Sequence, residues 1–175
     1  PLVLTAWGTD VLLSPRESRI SRQFARYAVK HADEVTTVAE HMNASVVALG
    51  VAAERVQAVP FGVDVQVFHA SAEARDPGQR LKIICTRNFG PIYDIPTLLS
   101  AIEELSREGL DFEVDLVGEG ELRGGLEARV RGSAHLATLI RFHGHVTHVE
   151  LARLLARADI FVTPALSDGN NVSLN

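Results

Sequence analysis

The feature that most constrains this chain is a repeated exchange between two hydrophobic periods. Short apolar runs rich in β-branched residues alternate with stretches whose apolar residues recur at helical spacing. Residues 2–6 read as a strand ended by Gly8-Thr9-Asp10, and residues 18–31 carry Ile20, Phe24, Tyr27, Ala28 and His31 near helical spacing. Residues 34–38 predict a second strand, 40–49 a helix stopped by Gly50, and 55–59 a third strand. A polar, aperiodic stretch follows Pro60-Phe61-Gly62-Val63-Asp64 and lasts to about Gln79. The alternation then resumes. Residues 81–86 predict a strand, and a helix begins near Asp94, which can cap it, with Pro96 tolerated in the first turn and Leu98, Leu99, Ile102 and Leu105 as its buried stripe. Residues 112–117 alternate as a strand and run into Gly118-Glu119-Gly120, ahead of a helical stripe at Leu122, Leu126 and Val130. Residues 139–142 predict the next strand. Thr147-His148-Val149-Glu150 fits a capping box before Leu151, Leu154 and Leu155, and residues 159–163 close the series at Pro164.

Strands that alternate with helices of this length imply α/β architecture, with parallel sheets covered on both faces and doubly wound. The expected organisation is one Rossmann-like domain over residues 1–68, a linker over 69–79 and a second Rossmann-like domain over 80–175. With 175 residues, 46% of them apolar, the chain can bury a normal core. Its net charge of −5 provides no basic field for a nucleic-acid backbone, so no nucleic-acid partner is expected and any anionic ligand must be held locally. The single cysteine, Cys85, excludes an internal disulfide, suits a reducing compartment and reads as a small buried hydrophobe. No apolar run approaches the roughly 18 residues of a spanning helix, and the start has no charged n-region of a signal peptide. A cytoplasmic location is expected, with peripheral membrane contact left open. The chain opens on Pro1 and stops at Asn175 inside a polar loop, which reads as a piece of a longer sequence.

In doubly wound sheets ligands sit beyond the carboxyl ends of the strands. The loops there in the second half are Arg87-Asn88-Phe89-Gly90-Pro91, Gly118-Glu119-Gly120, His143-Gly144-His145-Val146 and Ala165-Leu166-Ser167-Asp168-Gly169-Asn170-Asn171. Glycine admits close backbone approach, arginine offers a fixed fork to phosphate oxygens, and a glycine loop opening a helix offers amide donors to anions. Together these suit a nucleoside diphosphate. Each has a plainer alternative: Gly118-Glu119-Gly120 as a simple strand-to-helix turn, Arg87 as a surface ion-pair residue, and residues 167–171 as turn chemistry.

Taken together, these segments resemble retaining glycosyltransferases of family 4, enzymes of the GT-B fold. The resemblance rests on Val59-Pro60-Phe61-Gly62-Val63-Asp64 followed by Phe68, on Thr86-Arg87-Asn88-Phe89, on Val117-Gly118-Glu119-Gly120-Glu121-Leu122, on Phe142-His143-Gly144-His145-Val146 and on residues 158–165, in the family's order and spacing. It covers nearly the whole chain. It implies transfer of a sugar from a UDP- or GDP-type nucleotide sugar to a hydroxyl acceptor, which can be a saccharide, a lipid-linked acceptor or a small molecule, with retention at the anomeric carbon. It implies no other cofactor and no metal. Arg87 would stabilise the departing diphosphate and Asp168 would orient the sugar, without acting as a covalent nucleophile. Gly118, Gly120, His145, Val146, Gly169, Asn170 and Asn171 would line the nucleotide sugar.

Two positions depart from the family pattern. Tyr93-Asp94 stands where many members carry a lysine that helps neutralise the diphosphate, and Trp7 stands where many carry a histidine in the first cleft-facing loop. The family's second acid, expected on the ribose, would fall one position after Asn175, so these 175 residues alone are expected to be inactive. His143, His145 and His148 cluster in sequence, but no cysteine or nearby carboxylate completes a metal-ligand set. Two other activities fit the same architecture: a sugar-nucleotide epimerase and a non-catalytic nucleotide- or sugar-binding module.

Overall fold

Two parallel sheets organise the protein, and in the computed structural model, which describes residues 1–69 and 78–174, each belongs to its own unit. One unit comprises Pro1–Val63 with the segment from Ser167 onward; the other comprises Asp64–Leu166. The linker expected over 69–79 lies, for residues 70–77, outside the described residues.

The first unit opens with β1 (Val3–Ala6), two single-turn helices, α1 (Thr9–Leu12) and α2 (Ser14–Glu17), and the longer α3 (Arg19–His31). Then come β2 (Glu34–Thr37), a 3-10 turn at Glu40–Met42 continuing into α4 (Asn43–Ala48), and β3 (Val56–Ala58). All three strands are parallel in the order β1-β2-β3, with Leu4 opposite Val35 and Val35 opposite Val56. Helix α3 starts where Ser18 turns extended and its hydroxyl accepts the Ser21 N–H at 3.4 Å. It ends at Lys30 and His31, cations placed where the helix dipole favours them. Val29 of α3, Val35 of β2, Met42 and Val46 are fully buried around Ala6. The helix expected over 40–49 is thus broken into a 3-10 turn and a short α-helix, and the single-turn helices α1 and α2 carry no periodic signal long enough to read.

The second unit runs β4 (Leu81–Cys85), a 3-10 turn at Pro91–Tyr93, α5 (Ile95–Arg107), β5 (Phe112–Val117), α6 (Arg123–Gly132) and α7 (Ala134–Ala137). It closes with β6 (Ile140–Gly144), α8 (His148–Arg157) and β7 (Ile160–Phe161). The parallel strand order β6-β5-β4-β7 shows the chain stepping outward from β4 and then returning to its other side, which is the double winding expected from the alternation. Phe112, Val114 and Leu116 of β5 are buried against Leu98, Leu99 and Ile102 of α5, Leu126 and Val130 of α6 and Leu136 of α7. The intervening residues form a polar ladder on the other sheet face. There Lys82 and Arg141 pair with Glu113 at 3.5 and 3.4 Å, and His143 Nε2 bonds Asp115 at 2.6 Å.

Two local expectations differ. Leu105, assigned to the buried stripe of α5, is 36% exposed, because it lies one turn beyond the part of the helix that meets the sheet. Asp94 occupies the cap position but in a left-handed conformation (φ 45°), without a side-chain cap bond; its carbonyl accepts the Thr97 N–H at 3.1 Å instead.

Cys85 ends β4 with no exposed surface, and burial pushes its thiol from 9.0 up to about 11. The folded value is raised, so the native state holds the proton longer than the unfolded chain. Its contribution to stability is complete below pH 9.0 and is lost as the pH climbs through 11. Native protein should resist thiol alkylation at neutral pH and label fully in denaturant. Cys85→Ala should flatten the fall of the melting temperature above pH 9.0. Rapid native labelling would contradict this placement.

Candidate functional site

Three loops interlock at the carboxyl edge of β4, β5 and β6. The Phe89 N–H donates to the Glu119 carbonyl at 2.8 Å, the Leu122 N–H to the Phe89 carbonyl at 3.0 Å, and the Gly118 N–H to the Gly144 carbonyl at 3.0 Å. The first two bonds tie the Arg87-Asn88-Phe89 segment to the Gly118-Glu119-Gly120 turn. The glycines are required by contact. A Cβ on Gly118 would run into the Arg87 carbonyl oxygen, and one on Gly120 would lie 2.6 Å from the Phe89 carbonyl carbon. Both obstacles are main chain and cannot swing aside. Helix α6 starts immediately afterwards, with the Arg123 N–H on the Gly120 carbonyl at 3.1 Å, so the positive end of its dipole lies at this edge. The Arg123 side chain is occupied by Glu119 and Glu127; these bonds hold the Glu127 carboxyl below its ordinary value.

Arg87 projects from the loop after β4, and its guanidinium carbon lies 5.4 Å from the centre of the Tyr93 ring. Burial pulls Arg87 below the usual arginine value, while the neighbouring Tyr93 and Cys85 oppose that shift. Arginine titrates so far above neutrality that the group stays charged. This contact gives Tyr93 a role at the position where the family's lysine is missing: it supplies an aromatic face that orients the remaining cation. Its lone presence in the sequence carried no such signal, because the contact depends on the 3-10 turn at Pro91–Tyr93.

His145 is exposed and Val146 half-buried in the loop after β6. The histidine cluster of the sequence is divided by the fold. His143 engages Asp115, whereas the His148 ring lies 6.2 Å from that of Phe68. Among the described residues no group of three or more metal-ligating side chains comes together.

Asp168, Gly169, Asn170 and Asn171 belong by their contacts to the first unit. The His41 ring nitrogen Nε2 lies 3.2 Å from the Asp168 carbonyl oxygen; a carbonyl only accepts, so the bond places a proton on Nε2. Asn170 Nδ2 donates to the Val38 carbonyl at 3.2 Å, and a Cβ on Gly169 would strike the Trp7 carbonyl oxygen. The main chain bearing Asp168 is therefore clamped against the loops that follow β1 and β2. Asn171 is almost fully buried; its Oδ1 accepts the Ser173 N–H at 3.2 Å, and its Nδ2 has no partner among the described residues. His41, read from sequence as a surface residue, was missed because its partner lies 127 positions away.

Trp7 stands at the carboxyl end of β1, 66% exposed, with Phe61 meeting it edge-on at 5.1 Å. Asp10 fixes the backbone beneath it, accepting the Gly8 N–H at 2.7 Å and the Trp7 N–H at 3.1 Å. The indole thus projects from a braced loop in the position that carries histidine in many relatives.

Two parallel Rossmann-like sheets, with a cation and glycine loops at the strand ends, define a glycosyltransferase of GT-B architecture. The chain belongs to the glycosyl transferases group 1 family, whose model matches residues 80–175, and residues 1–62 match the glycosyl transferase 4-like domain. It is 30% identical over 129 residues to EpsF of Bacillus subtilis (strain 168), assigned as a glycosyltransferase, covering 69% of this chain and 33% of EpsF. Among solved structures it resembles the pneumococcal O-GlcNAc transferase GtfA in complex with UDP and GlcNAc, with a TM-score of 0.78 at 16% identity, over 99% of this chain and 34% of that one. It also resembles HepE of Anabaena in complex with UDP and glucose, with a TM-score of 0.74 at 17% identity, over 94% of this chain and 46% of that one. The chain therefore spans about a third of EpsF and GtfA and under half of HepE.

The glycine contacts make opposite predictions for one substitution at two positions. Gly118→Ala should destabilise by about 1–3 kcal/mol, because main chain must move. Gly124→Ala, in helix α6 with nothing within 4 Å of the added carbon, should stabilise by up to about 1 kcal/mol. Chemical denaturation of both variants checks the pair; equal effects would refute the close approach at Gly118.

Proposed function

We propose that the protein transfers a sugar from a nucleoside diphosphate donor of UDP or GDP type to an acceptor hydroxyl, with retention at the anomeric carbon. The observation that carries the reading is Arg87, held charged over Tyr93 at the carboxyl edge of β4 and knit by backbone contact to the glycine turn that opens α6. A retaining transfer breaks the bond between the anomeric carbon and the diphosphate and forms one to the acceptor oxygen on the same face. Negative charge grows on the departing diphosphate, so a fixed cation and a helix N-terminus stabilise the transition state more than the ground state. With no lysine at 93 or 94, that duty falls on Arg87, whose planar fork can take two phosphate oxygens at once. Gly118 and Gly120 let the main chain approach the same ligand, with His145 and Val146 in the next loop, while Gly169, Asn170 and Asn171 form the short segment lining the nucleotide sugar. Asp168 orients the transferred sugar from a main chain that His41 holds. GtfA and HepE, each solved with UDP and a sugar, support the donor class, and family membership supports the transfer.

Arg87→Ala should weaken binding of UDP or GDP to the intact protein by roughly 1.5–3 kcal/mol, the scale of a charge-assisted hydrogen bond, with little change in melting temperature. Arg87→Lys should recover only part of the loss, since a lysine lacks both the fork and the planar stack on Tyr93. Calorimetric titration measures both. Incubation with a panel of nucleotide sugars and saccharide acceptors, read by nucleoside diphosphate release and by NMR of the product's anomeric proton, tests the reaction itself. Unchanged affinity in Arg87→Ala would return Arg87 to a structural role, and an inverted product would refute the retaining course.

A further inference from the structure

Helix α3 buries Val29 against the first unit's core, yet its apolar stripe lies elsewhere. Ile20, Phe24 and Tyr27 are 71%, 71% and 65% exposed. Counting about 100° per residue, they stand about 140° to 200° around the helix from Val29, on the side turned away from the sheet. In a layered α/β unit that side normally meets water and carries polar residues, so a contiguous apolar stripe there marks a contact surface. The flanking charge is one-sided. Between Ser14 and His31 the chain places Arg16, Arg19, Arg22, Arg26 and Lys30 against a single acid, Glu17, in a chain whose net charge is −5. By the same helical count, Arg19, Arg26 and Lys30 run along one flank of the stripe.

We propose that α3 lies on an anionic membrane surface, with Ile20, Phe24 and Tyr27 seated at the headgroup boundary and the flanking arginines and Lys30 on lipid phosphates. An apolar stripe with a tyrosine and a basic flank is the pattern of a helix that rests in the interface plane, and each nearby cation adds attraction to an anionic leaflet. The contact is superficial, since no helix among the described residues is long and apolar enough to cross a membrane. A second copy of the chain fits worse. A two-fold contact would set the stripe against itself and bring five cations towards five, with only Glu17 in each copy to offset them. The surface uses none of the groups assigned to the donor, so it stands or falls apart from the transfer reaction.

The test is co-sedimentation of the intact protein with vesicles of phosphatidylcholine alone and of phosphatidylcholine mixed with phosphatidylglycerol. Binding should appear on the anionic vesicles, fall with added salt and be weak on the neutral ones. Phe24→Glu, at an exposed site that leaves the core untouched, should lower partitioning by about tenfold or more, and Arg19→Glu with Arg26→Glu by a comparable factor. Melting temperatures close to the parent's show that these variants fold. Absence of binding to anionic vesicles, or equal binding by the folded Phe24→Glu variant, overturns the proposal. So does sedimentation evidence that Phe24→Glu dissolves a dimer, which would give the stripe to a second copy.

Discussion

The parallel pairing of β4 with β5 is the constraint on which the second unit depends. Its register sets Ile83 against Val114 and Cys85 against Leu116, which delivers the Arg87 loop and the glycine turn to the same edge at the same height. Beyond the last paired residues the two backbones stay in contact, and only glycine at 118 and 120 leaves room for the segment from Arg87 to Phe89. A shift by one residue would turn Phe112, Val114 and Leu116 out of the core and bring Glu113 and Asp115 in, so the buried face enforces the register that builds the loops. The site inherits its precision from core packing. The Arg87 stack on Tyr93 is a later refinement, worth about a kcal/mol by the usual scale of cation–π contacts, whereas the core that sets the register is worth several such units.

The first unit solves a related problem by different means. Its strands are short, and the loops after β1 and β2 are braced by polar groups instead of glycine contact alone. Asp10 gathers the amides of Trp7 and Gly8, and Thr37, fully buried, donates to the Ala39 carbonyl or to Asn43. Against these loops rests the segment from Ser167 onward, through His41, Val38 and the backbone of Trp7. These are bonds of modest individual strength, about a kcal/mol each, so the Asp168 segment is held by a set of small anchors whose loss one at a time would loosen it gradually.

Helix α3 shows how an amphipathic pattern can be satisfied in two directions. Its stripe of Ile20, Phe24 and Tyr27 secures the helical period, yet burial in the unit falls to Val29 and to Ala32 just past the helix end. Periodicity identifies a helix and its apolar face; it does not say what covers that face. The polar ladder of Lys82, Glu113 and Arg141 on β4, β5 and β6 makes the complementary point, since charged residues placed at every second position in central strands neutralise one another across the sheet.

What the sequence by itself determined is everything carried by short-range pattern. The alternation of periods fixed seven strands and the longer helices in order, with β5 matching residue for residue, and the loops at the strand ends carried Arg87, Gly118 and Gly120 to one edge. Motif order identified the family, which the match over residues 80–175 establishes. Tertiary structure alone decided which partners meet across long stretches of chain. His41 reaches the Asp168 carbonyl, His143 is taken by Asp115 away from its neighbouring histidines, Tyr93 turns under Arg87, and the stripe of α3 stays outside the core. The physical reason is common to all four. Hydrogen bonds within an element and the hydrophobic period are set by residues a few positions apart, whereas burial and side-chain pairing depend on which surfaces the folded chain brings together.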